Sequence, residues 1–234
     1  MNQIISQHGW GLDHKMWVNL ENHFKKKNWK WQDNERGYFK EPYFIAQWIK
    51  DHTTASKKIA ICHSLGIHLM DKKILEQATH IVLINSFHNF IPMNTENKII
   101  IKTLKRMEKK INSEEILPML KEFIQKSFMP NEVDINFKNF LKLSPKDINI
   151  NILFKDFQKL YLQNQYANLF SKHADILIIK SKKDSILKEY ACDKFIEILN
   201  NSQIKRPKLV QLHKQGHLLH NIDIGKIIED WIEI

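Results

Sequence analysis

The chain has 234 residues, 43% of them hydrophobic, so one domain with a sizeable core and an elaborated loop or small lid is expected. The formal net charge is +10, but of 36 basic residues only Arg36, Arg106 and Arg206 are arginines, whose planar fork phosphate and base recognition favours. With no zinc finger, aromatic RNA-binding signature or helix-turn-helix pattern, the charge is read as drift of a Lys-, Ile- and Asn-rich composition, and nucleic acid is set aside as a partner.

In chain order, the apolar run at residues 3–7 reads as a strand and passes directly into Gln7-His-Gly-Trp-Gly11. A helical pattern near 14–26, a strand at 28–32 and a helical pattern near 42–52 follow. The strand at 57–62 leads into Cys62-His-Ser-Leu-Gly66, and a helical pattern near 65–77 begins at once. A fourth strand is expected at 80–85. Residues 88–170 then hold helical periodicity and no convincing strand. Strands at 175–180 and 207–213 are followed by helical patterns near 187–200 and 218–233. Strands alternating with helices imply parallel pairing through right-handed crossovers. The class is therefore α/β, a reduced, mostly parallel sheet of about six strands. Residues 1–87 and 171–234 form the core, with 88–170 inserted as a helical lid. The chain enters almost directly on the strand before His8, so a leading antiparallel hairpin is not expected.

Ser64 stands where a strand meets a helix, between small residues two positions away on each side, Cys62 and Gly66. This is the grammar of a nucleophile elbow, with Cys62 in place of the usual first glycine. Asp184 follows the strand Ile176–Ile179, and His217 follows the strand Leu209–Leu212. Serine, acid and histidine, each on a loop after a strand, appear in the α/β-hydrolase order. Ser64 is expected as nucleophile, His217 as base and Asp184 as the acid that orients it. Oxyanion donors are expected from the backbone N–H groups of Leu65 and Trp10. His8 is read as shaping the oxyanion loop, and His63 and His68 as structural. Cys62 should end a buried strand, and Asp175 precedes its strand and so sits at the wrong end of the sheet. His217 and His220 have metal-like spacing without a carboxylate-rich partner set, so no metal is expected, and no cofactor. Phe87, Phe90 and residues within 152–166 are candidates to line the acyl pocket.

The first helix of the insertion carries Lys98, Lys102, Lys105, Arg106, Lys109 and Lys110 within a sector of about 140°. Ile100, Ile101, Leu104, Met107 and Ile111 lie opposite, and Ile99 breaks the pattern. Such a face is either the solvated outside of a packed helix or a docking surface for an acidic partner. Membrane-surface binding is a third reading, disfavoured because the apolar face is needed for packing.

His8-Gly-Trp-Gly-Leu12 followed by Trp17, together with Ser64-Leu-Gly66, resembles the BioH-like pimeloyl-[acyl-carrier protein] methyl ester esterases, whose shorter relatives include the BioG and BioK types. The resemblance covers roughly residues 1–90 and 170–234, leaving the insertion unmatched. It implies Ser64, Asp184 and His217 as the triad, Trp10 and Leu65 as oxyanion donors, and demethylation of a pimeloyl chain on acyl carrier protein. That acidic carrier would dock on Lys98, Lys102, Lys105, Arg106 and Lys109. The alternatives are a general short-chain carboxylesterase or thioesterase, and a non-catalytic binding protein of the same fold. No apolar stretch approaches the roughly 20 residues a spanning helix needs, and no basic-then-apolar leader stands at the N-terminus. Cys62 and Cys192 are too few for a disulfide framework or a cysteine-based metal site. A cytoplasmic location is therefore expected. A monomer is favoured, with the oligomeric state open.

Overall fold

Six short strands build a single sheet, whose four inner members bear isoleucines and are buried along almost their whole length, while the two edge strands are more polar and partly exposed. In the computed structural model, which describes residues 1–50, 56–91, 97–134, 137, 142–162 and 170–233, these are β1 (Gln3–Gln7), β2 (Lys30–Asn34), β3 (Lys58–His63), β4 (His80–Ile84), β5 (Asp175–Ser181) and β6 (Lys208–Leu212). They lie in the order β2-β1-β3-β4-β5-β6, and all five pairings are parallel. All six expected strands are present, with ends displaced by at most two residues.

Successive side chains point to opposite faces. Ile5, Ala60, Cys62, Ile81, Leu83, Ile176 and Ile178 form one face. It is covered by α2 (Gly66–Leu69), α3 (Lys72–Gln77) and α7 (Glu189–Ser202) through Ile67, Ile74, Leu75, Phe195 and Leu199. Ile4, Ile59, Ile61, Val82, Ile84, Leu177 and Ile179 form the other, under α1 (Val18–Lys25) and α8 (Ile224–Ile232), which contribute Leu20, Phe24, Ile228 and Ile232. Full burial of one such side chain contributes about 1.5–3 kcal/mol, which explains why strands covered on both faces read as continuous apolar runs.

Between β4 and β5 lie α4 (Asn97–Ile111), α5 (Ile116–Phe128) and α6 (Ile150–Phe157). Their apolar sides join a third cluster with Trp10, Leu12, Tyr38, Leu65 and Phe87, so the insertion rests on the loops at the carboxyl ends of β1 and β3. A buried ion pair fastens it: Arg36 grips Asp156 of α6 through Nε at 2.7 Å and a second nitrogen at 2.9 Å, and the Tyr38 hydroxyl donates to the same carboxylate at 2.8 Å. Among the described residues no helix is long and apolar enough to cross a membrane.

Three sequence expectations need correction, the first being the helical pattern near 218–233, of which only Ile224–Ile232 is helix and residues 218–223 are loop. The pattern near 42–52 is not a helix over its described part, residues 42–50; residues 51–52 lie outside the described residues. Long-range partners hold this backbone extended. Phe44 exchanges both hydrogen bonds with Glu35 at 2.8 Å, the Ala46 N–H donates to Asn34 Oδ1 at 2.7 Å, and the Gln3 amide clasps Ile49 at both its N–H and C=O. The helix expected at 65–77 is two, because Met70 and Asp71 are extended and the Asp71 carboxylate caps α3 by accepting from Lys73 N–H at 2.7 Å.

Candidate active site

The direction of the chain reverses at the centre of the sheet: from β1 it moves outward to β2, then returns to β3 on the other side of β1. At such a switch point the loops leave in opposite directions and open a crevice at the strands' carboxyl ends. The loop after β1 carries His8-Gly-Trp-Gly11, and the turn after β3 carries Ser64.

Ser64 has φ 53°, the left-handed region that side chains beyond Cα disfavour. The turn closes because the neighbouring backbone comes close. A Cβ on Gly66 would lie 2.5 Å from the Gln7 carbonyl oxygen and 3.0 Å from that of His8. Gly9 faces the other side of the elbow, where a Cβ would meet the Ser64 Cβ at 3.1 Å. Cys62 ends buried in β3, its Sγ 3.7 Å from Met70 Sδ, and burial pushes its thiol up.

The three residues singled out in sequence meet here. The Ser64 hydroxyl lies 2.9 Å from His217 Nε2, and His217 Nδ1 lies 2.6 Å from Asp184 Oδ2. The other carboxylate oxygen accepts from the Ile186 and Leu187 N–H groups, both at 2.8 Å, which fixes its orientation. The histidine is almost fully buried. Nδ1 therefore carries the proton that faces the carboxylate, and Nε2 is left as the acceptor facing the serine.

Trp10 and Leu65, expected as oxyanion donors, are both buried beside Ser64, and among the described residues their N–H groups have no backbone acceptor. The Trp10 ring packs edge-on against Phe123 and donates from Nε1 to Leu153 C=O at 2.8 Å, tying the loop to α5 and α6. His8 has no part in proton transfer in this arrangement. Its Nδ1 faces Gly9 C=O at 2.9 Å and its Nε2 accepts from Arg36 N–H at 3.2 Å, so it braces the loop. His68 Nε2 bonds to Phe87 C=O, and burial holds its pKa down at about 3. Asp175 lies at the start of β5, paired with Lys205 at 2.8 Å, and His220 faces Asp134 at 3.4 Å.

A cavity of about 370 Å³ opens over Ser64. Phe90, Ile100, Leu104, Met107, Phe123 and Leu160 give it apolar walls, while Arg106, Lys110, Lys126 and Lys188 stand with Glu122 among its lining residues. Phe90 and Leu160 were expected there; Phe87 instead lies buried, its ring edge-on to Phe90. Of the 152–166 candidates, residues 163–166 lie outside the described residues.

The outer face of α4 forms a shallow groove lined by Lys98, Ile101, Lys102, Lys105, Arg106 and Lys109. Among the described residues these five cations have no ion-pair partner, whereas Lys110 pairs with the exposed Glu115 at 3.0 Å. Ile99, which broke the sequence pattern, is exposed. Arg106 borders both groove and cleft.

Sequence reasoning missed Asn85, at the end of β4 with φ 44°. Its amide donates to His217 C=O at 2.8 Å and Ser181 Oγ at 3.0 Å, and its oxygen accepts from Ser181 N–H. An asparagine closing a strand is the only local signal, since Asn tolerates the left-handed region.

No family model matches the sequence, and no curated protein matches it. Solved structures do. An esterase from Exiguobacterium antarcticum aligns with TM-score 0.73 at 17% identity over 100% of this chain and 91% of its own. A hydrolase from Oleispira antarctica aligns with TM-score 0.70 at 14% identity over 100% and 91%. A bromoperoxidase from Bacillus anthracis aligns with TM-score 0.72 at 12% identity over 100% and 92%. The chain has the α/β-hydrolase fold.

Proposed function

We propose that this protein is a serine carboxylesterase that removes the methyl group from a pimeloyl chain carried on acyl carrier protein, in biotin synthesis. The observation that carries the hydrolase reading is the relay Ser64–His217–Asp184, with separations of 2.9 and 2.6 Å, at the base of an apolar cleft. Ser64 Oγ attacks the ester carbonyl while His217 Nε2 takes its proton. The oxyanion of the tetrahedral intermediate faces the N–H groups of Leu65 and Trp10. Collapse breaks the acyl–oxygen bond, and His217 returns the proton to the departing methoxide, giving methanol and the acyl-enzyme. Water attacks in the second half, losing its proton to His217, and the acid leaves as Ser64 regains its hydrogen. Asp184 stabilises the imidazolium in both halves and stays ionised.

The substrate part is supported by the sequence resemblance and by the cations of α4 beside the cleft mouth, which have no ion-pair partner among the described residues. An acidic carrier would be drawn to that face over a Debye length of about 8 Å at physiological salt. The test is demethylation of the carrier-bound methyl ester by purified protein, with Ser64→Ala as control. Charge reversal at Lys102, Arg106 and Lys109 is expected to produce a large, salt-sensitive loss of turnover. A general short-chain carboxylesterase or thioesterase is the second reading, favoured by the likeness to esterase and hydrolase structures. On that reading the charge reversals leave turnover unaffected at any salt.

A further inference from the structure

The backbone of the proposed base is held as firmly as its ring. The His217 carbonyl receives two buried donors, His63 Nε2 at 3.0 Å and Asn85 Nδ2 at 2.8 Å. They arrive from the ends of neighbouring strands, β3 and β4. A carbonyl can only accept, so His63 is the Nε2–H tautomer. Its Nδ1 is then a bare nitrogen with no partner among the described residues, pressed against Gly9, where a Cβ would lie 2.9 Å from it. Burial, reinforced by His217, holds the His63 pKa down at about 3, so the ring is neutral. Neutrality suits the place. The rings of His63 and His217 have centroids 4.8 Å apart, and a cation there would oppose the charge His217 acquires during turnover.

Asn85 extends the clamp. Besides His217 it reaches Gly216 C=O at 3.3 Å, and its pair of bonds to Ser181 ties the loop to the end of β5. Neither His63 nor Asn85 touches the reacting hydroxyl.

We propose that His63 and Asn85 are positioning residues, whose two N–H groups fix the His217 carbonyl and so hold its imidazole between Ser64 and Asp184. The kinetic consequence rests on the hydrolase reading; the geometric one does not, and the test separates them. His63→Gln keeps an N–H near the place of Nε2, while His63→Phe keeps the ring and removes the donor. With p-nitrophenyl butyrate as substrate, His63→Phe is expected to lower kcat about tenfold at unchanged KM, and His63→Gln to recover most of that loss. The second readout is the deshielded Nδ1–H proton of His217 by NMR. It should be sharp in the wild type, broadened or shifted in His63→Phe and in Asn85→Asp, and restored in His63→Gln. Should His63→Phe fail to fold, His63→Leu replaces it.

An unchanged signal and unchanged kcat in the variant lacking the donor would overturn the proposal, as would equal losses in His63→Gln and His63→Phe. If the wild type shows the signal but hydrolyses no ester, the hydrolase reading fails while the NMR comparison still decides this one. If the wild type shows no such proton, this proposal falls with the triad geometry.

Discussion

Replacing Asp184 by Asn changes one atom and, by the geometry here, the tautomer of the histidine. Oδ1 already accepts two backbone N–H groups at 2.8 Å, so the asparagine oxygen keeps that place and its NH2 turns toward His217 Nδ1. Nδ1 must then become the acceptor, and the ring proton moves to Nε2, pointing at Ser64 Oγ across 2.9 Å. A histidine in that state cannot take the serine proton. The equivalent change in a serine protease lowers kcat about 10⁴-fold, which corresponds to about 5.4 kcal/mol of transition-state stabilisation. The fold should barely register it, because both backbone bonds to the loop survive. Steady-state hydrolysis of p-nitrophenyl butyrate alongside a thermal melt reads both effects. A kcat within tenfold of the wild type, with the protein folded, would refute the assignment of Asp184 as the orienting acid.

Three further outcomes follow from the structure. His63 and His68 have folded pKa values held down at about 3, from an ordinary 6.5, chiefly by burial. The unfolded chain therefore binds more protons throughout that window, so stability is complete above 6.5 and falls as the pH drops, by about 1.4 kcal/mol per pH unit for each histidine. Urea unfolding at about pH 7 and about pH 5 checks this; equal midpoints would contradict it, and His68→Leu should flatten the slope. Asp156→Ala strands the Arg36 guanidinium in a mostly buried site and is expected to cost about 3–5 kcal/mol, read as a lower urea midpoint that Arg36→Met combined with Asp156→Leu largely restores. Gly66→Ala drives a methyl against the Gln7 and His8 carbonyls and should destabilise by about 1–3 kcal/mol while slowing turnover. Unchanged melting and rate would mean that the elbow is less tightly closed than described.

What the sequence revealed and what it hid divide on physical lines. Strands such as Ile81–Ile84 and Ile176–Ile179 are buried on both faces, so each is a continuous apolar run that local composition displays. Ser64 and Asp184 were legible because each follows such a run; His217 follows the partly exposed edge strand β6, and its signal was the chain order of the three residues. The segment at 42–50 misled because what holds it extended is remote. The side chains of Gln3, Gln32 and Asn34 satisfy its backbone, Gln3 from 46 positions away, and the apolar periodicity of the segment itself carries no trace of these bonds. Asn85 was hidden for the same reason: its role lies in bonds to residues about a hundred positions and more away. Lys110 was grouped with the outward cations by periodicity, but it pairs with Glu115, beyond the helix end, and stands among the residues lining the cleft.

The reactivity of Ser64 is the property from which the enzymatic reading descends. Incubating folded protein with a fluorophosphonate and weighing it intact is expected to show one adduct, located on Ser64 by peptide mapping. The adduct should be absent in Ser64→Ala and form far more slowly in His217→Gln. Failure of the folded wild type to acquire it, or an undiminished adduct in Ser64→Ala, would contradict the account.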